Sequence, residues 1–110
     1  MSIKQTNVVD FIGIDNTTGD VVLTISDHLM WPESDNEHFL LLQEKLNTYL
    51  SFIESGELLE TYPNAEGRAV LIEVVCKYPL GEKAKLFFEN AAAVIQAADY
   101  TLKFSLLQKQ

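Results

Sequence analysis

Basic charge, cysteine and glycine are the scarce ingredients of this chain, and each scarcity removes a class of function. Its 110 residues hold 8 Lys plus Arg against 16 Asp plus Glu, a net charge of −8, with Arg68 the single arginine. A grip on a phosphate backbone needs clustered cations, so no nucleic acid is expected as a partner. Lys77, Lys83, Lys85, Lys103 and Lys109 are dispersed among acids and form no cluster. The lone cysteine, Cys76, leaves no intramolecular disulfide and no cysteine-rich zinc site, which fits a reducing compartment. The 5 glycines form neither the GxGxxG of a dinucleotide-binding turn nor a Walker-type phosphate loop. No run approaches the roughly 18 apolar residues of a membrane span, and Met1 to Gln5 lack the apolar core of a signal peptide. A cytoplasmic protein that does not meet a membrane is the expectation.

Apolar residues, by contrast, make up 47% of the chain, enough to pack one domain over residues 1–110 without a staple. Val8, Ile12 and Ile14 alternate with Val9 and Phe11, and Val21, Leu23 and Ile25 alternate with Val22, Thr24 and Ser26. Between them, Asn16 to Gly19 supplies the residues that reverse a chain, so the two runs read as a β-hairpin. Further along, Val70, Ile72, Val74, Cys76 and Tyr78 share one face of a third strand, and Leu71, Glu73, Val75 and Lys77 the other. After Pro79-Leu80-Gly81, the stripe Ala84, Phe87, Phe88, Ala91, Ile95 and Ala98 predicts a helix. A last alternation, Tyr100, Leu102, Phe104 and Leu106, predicts a fourth strand, with continuation of the helix as the alternative.

The stretch from Asp27 to Gly56 organises the rest. Ser34 stands as an N-cap with Glu37 three residues on, completing a capping box and predicting a helix that starts near Asp35. Phe39, Leu42, Leu46, Tyr49, Leu50 and Ile53 form its buried stripe, and Ser55-Gly56 ends it after about 20 residues, or roughly 30 Å. The order strand, strand, helix, strand, helix, strand predicts an α+β fold. Its four-stranded mixed sheet carries both helices on one face, the last two strands being parallel.

Two sets of residues stand out as functional candidates. Asp27 and His28 at a strand end, with Glu37 and His38 on the helix, carry the residue types of a divalent-metal or acid/base site. The spacing argues against the simplest version, since Glu37 and His38 are neighbours on a helix and point in different directions. Turn capping is the preferred reading of Asp27 and His28, and Cys76 reads as a small buried hydrophobe. The second set is for contact. Leu41 and Phe52 fall more than about 90° from the helix's core stripe, with Thr48 and Lys45 between them. Either another layer of this chain or a partner covers them. Trp31, before Pro32, is an apolar plug at the helix start or, if exposed, an interface anchor.

The blocks DHLMW (27–31), LQEKLNTYLSFIESGE (42–57) and IEVVCKYP (72–79) together resemble a family of small bacterial proteins of unknown function. The resemblance spans nearly the whole chain and implies a bacterial, single-domain, cytoplasmic protein. It brings no activity, ligand or catalytic residue. The reading of the sequence is a non-enzymatic module without cofactor or metal that binds itself, as a homodimer, or another protein. Trp31, Leu41, Lys45 and Phe52 are its contact candidates. The alternative is an enzyme centred on Asp27 and His28.

Overall fold

In a computed structural model, residues 9, 11–28 and 37–106 are described. The chain forms β1 (Phe11–Ile14), β2 (Val21–Asp27), α1 (Glu37–Glu54), α2 (Glu57–Thr61), a 3-10 turn (Pro63–Ala65), β3 (Val70–Cys76), α3 (Glu82–Ala97) and β4 (Thr101–Leu106). Strand order in the sheet follows chain order. β1 pairs antiparallel to β2, while β3 lies parallel to β2 and β4 parallel to β3. The result is the expected mixed four-stranded α+β sheet. The direction of β3, open from the sequence, is set by α1 and α2 carrying the chain back along the sheet.

Two successive crossovers that step the same way across a sheet, each right-handed, place their helices on one face. The packing agrees. Paired residues share a face, so the register Leu23 with Ile72 and Leu102, then Ile25 with Val74 and Phe104, defines one apolar side. Val21, Leu23, Ile25, Ile72, Val74 and Cys76 are fully buried there, under Leu42, Leu46 and Tyr49 of α1 and Phe88 and Ile95 of α3. The Phe88 ring meets Phe104 edge-on at 5.8 Å, which fixes α3 over β4. Cys76 behaves as its strand position predicts.

Local chemistry sets the boundaries. In the hairpin, the Asp15 carboxylate accepts from the backbone amides of Thr17 and Thr18 at 2.7 and 3.2 Å, and Gly19 takes φ 79°. Arg68 then ties that turn to the chain before β3, donating to the Gly19 and Asn64 carbonyls at 2.9 and 2.8 Å. α1 stops at Gly56, whose φ of 92° only glycine adopts without strain. α3 stops instead on Asp99 at φ 71°. There the amides of Asp99 and Tyr100 donate back to Gln96 and Ile95, closing the helix and freeing the chain to start β4. The helix-continuation alternative is thereby answered.

The stretch from Glu57 to Gly67 is polar and contains Pro63-Asn64 and Gly67, so its sequence reads as a connection; it contains α2 with Leu58 buried and the 3-10 turn with Ala65 buried. β1 is shorter than its alternation predicts, and Val8 lies outside the described residues. So do the N-cap Ser34, Asp35 and the plug Trp31-Pro32. No described helix is long and apolar enough to cross a membrane.

Candidate functional site

Polar groups meet at the end of β2 and the start of α1. Asp27 belongs to the same alternating set as Val21, Leu23 and Ile25, so strand geometry turns its carboxylate under the helices. A carboxylate in that position needs a partner. His38, in the first turn of α1, supplies one, its Nε2 donating to Asp27 Oδ2 at 2.6 Å. Both are sealed, with Asp27 1% and His38 2% exposed. Cys76 stands beside Asp27 in the strand register, and burial first, then the Asp27 charge, push its thiol up from 9.0 to about 12. It is therefore a protonated core thiol at neutral pH and no nucleophile.

The same side of α1 continues this polar seam. Lys45 is fully buried, its Nζ 5.8 Å from the centre of the Tyr49 ring, and Tyr49 donates its hydroxyl to the Thr24 carbonyl at 2.7 Å. Buried polar groups are tolerated where they find such partners. Asp27 with His38 at one end and Tyr49 with Thr24 at the other thus fasten α1 to β2.

Of the proposed chemical residues, only Asp27 and His38 come together. His28 is exposed, as is Glu37, so the helix neighbours Glu37 and His38 do point apart and the two histidines occupy different environments. Asp27 is held by the His38 side chain. Among the described residues, no group of three or more His, Cys, Asp or Glu is placed to hold a metal ion. Of the contact candidates, Leu41 and Phe52 are half-buried against this chain's own core, which is the other-layer alternative of the sequence reading. Lys45 presents no surface at all, because its position turns the stem inward beside Tyr49.

The opposite flank of α1 is open. Between α1 and α3 runs a groove of about 280 Å³ with Leu46, Leu50, Phe87 and Ile95 in its lining. Gln43 and Asn47 of α1 and Asn90, Ala91 and Val94 of α3 complete it, and no lining residue is charged. The Phe87 ring that lines it lies 5.4 Å from the ring of Phe39. On the same two helices Leu40, Leu86 and Val94 are exposed, the last 66%.

A family model described as Family of unknown function (DUF6572) matches residues 1–108. The chain belongs to that family. No curated protein and no solved structure is a significant match to this DUF6572 chain. Membership accounts for the three recognisable blocks and assigns no chemistry, so the site rests on the geometry of this family member alone.

The groove residues Gln43, Asn47, Asn90 and Val94 are not among the candidates taken from the sequence. For the α3 part of the groove a signal exists in the DUF6572 chain: past Glu89, the segment from Asn90 to Ala98 contains no charge on any side. An exposed helix face normally carries charge, and its lack marks a covered surface.

Proposed function

We propose that this chain is a non-enzymatic protein-binding module whose contact surface is the groove between α1 and α3. The observation that carries the reading is an open groove with an apolar floor and amide lips in a chain whose surface is otherwise strongly acidic. Such a groove suits the apolar face of a helix, which supplies side chains to the floor and meets the amides at its edges. The enzyme alternative keeps one favourable observation, the 2.6 Å Asp27–His38 contact. It lacks access, since both side chains are sealed and neither lines the groove.

An uncharged amphipathic helical peptide rich in Leu, Ala and Gln, titrated into isotope-labelled protein, tests the reading. The side-chain amide resonances of Gln43, Asn47 and Asn90 are expected to move. Unmoved amides, together with shifts at Asp27, His28, Glu37 and His38 on adding a divalent ion, would reverse the choice between the two.

A further inference from the structure

We propose, resting on the groove as the binding surface, that its occupant is a second copy of this chain, docked about a two-fold axis with each α3 against the other copy's groove.

Charge selects this occupant. Two chains of net charge −8 repel, and a face that carries none of that charge is where they meet at least cost. From Leu86 onward the outward stripe of α3 meets the condition: Leu86, Asn90, Ala93, Val94 and Ala97 are all exposed and all neutral, and the one charge on that face, Lys83, stands a turn earlier. The charges of α3, at Glu82, Lys83, Lys85 and Glu89, are confined to its first half, and the α1 acids Glu44 and Glu54 are exposed but do not line the groove. A basic partner would gain from acidic lips and an acidic partner from basic ones. Neutral lips favour a surface that is neutral too, and the chain's own α3 is one.

Hydrogen bonding and shape point the same way. A two-fold interface brings the same patch against itself, so residue i meets residue j of the other copy and j meets i, and groups near the axis meet their own kind. There carboxylates and ammonium groups repel, whereas an amide carries both donors and an acceptor. Gln43 and Asn47 on one lip and Asn90 on the other are amides. Val94, 66% exposed, and Leu86, 60% exposed, stand out as apolar knobs, while Ala93 and Ala97 let a second helix approach closely. Each copy therefore offers one knobbed helix and one groove.

Sedimentation equilibrium of the full chain, over a concentration series, decides the matter. Wild type is expected to dimerise at micromolar concentration. Val94→Asp and Val94→Lys are each expected to weaken the dimer by at least about tenfold, because a neutral self-docking face rejects charge of either sign. Leu59→Asp, at another exposed apolar position, is the control and leaves the dimer intact. Circular dichroism checks that the exposed-site variants fold. A wild-type monomer at millimolar concentration overturns the proposal. So does a dimer that Leu59→Asp breaks and both Val94 variants spare. If the monomer still takes the helical peptide at Gln43, Asn47 and Asn90, the binding-module reading survives without the second copy; if it does not, both fall.

Discussion

Along α1, the side turned to β2 keeps polar groups out of water, whereas the side turned to α3 leaves apolar groups in it. On the first, Asp27, His38, Lys45 and Tyr49 are buried with partners in this same chain. On the second, Leu46 and Leu50 floor a groove whose lips are uncharged and whose neighbours Leu40, Leu86 and Val94 are exposed. A sealed and partnered polar cluster holds a fold together; an unsealed apolar surface recognises something. The residues that look most chemical are thus the fastening, and in the proposed reading the bland amides and aliphatics form the working surface.

Breaking the fastening gives the largest effect. His38→Ala or Asp27→Ala removes one half of this buried contact and is expected to cost about 3–5 kcal/mol in urea unfolding, whereas Asp27→Val with His38→Leu recovers most of it. Single-variant costs below about 1 kcal/mol would show that the contact fastens nothing.

Next comes Cys76. Its folded thiol holds its proton up to about 12 while the unfolded thiol releases it near 9.0, so its stabilising contribution is complete below pH 9 and drains away as pH rises toward 12. Wild type is expected to lose more stability over that window than Cys76→Val, measured by denaturant midpoints at each pH. The rise of three units also cuts the native thiolate, and with it the alkylation rate near pH 8, by about a thousandfold.

Smaller again is Tyr49→Phe, which removes the hydroxyl from the Thr24 carbonyl and is expected to cost about 1 kcal/mol in the same unfolding assay. On the open side, Val94→Asp should change monomer stability by less than about 0.5 kcal/mol, since it alters only an exposed position. A large loss there would mean that Val94 is structural and the two sides are alike.

Much of this fold is legible in the sequence, because long alternations and long helical stripes record burial directly. The hairpin, the α1 stripe, the covered face of β3 and the break before α3 all follow from such patterns. α2 escapes because five residues make little more than a turn, too short for periodicity, and its burial rests on Leu58. The Asp27–His38 contact joins residues eleven apart across a connection, so spacing rules do not reach it. Its trace is nonetheless present: Asp27 alternates with Val21, Leu23 and Ile25, and His38 lies one turn before Leu42, so each belongs to a buried set. Leu41 and Phe52 leave two readings open from their angle on the helix, another layer of this chain or a partner. A helix resting on a sheet is covered along its flank as well as beneath, and both pack half-buried against this chain's core. Gln43, Asn47 and Asn90 read as ordinary solvated amides until α1 and α3 are side by side.

The most direct measurement follows labelled protein through a concentration series and compares resonances on the two sides of α1. If the groove is the working surface and a second copy fills it, the side-chain amides of Gln43, Asn47 and Asn90 shift with concentration while the backbone amides of Asp27 and His38 stay fixed. Shifts confined to Asp27 and His38, with silent groove amides, would contradict the account.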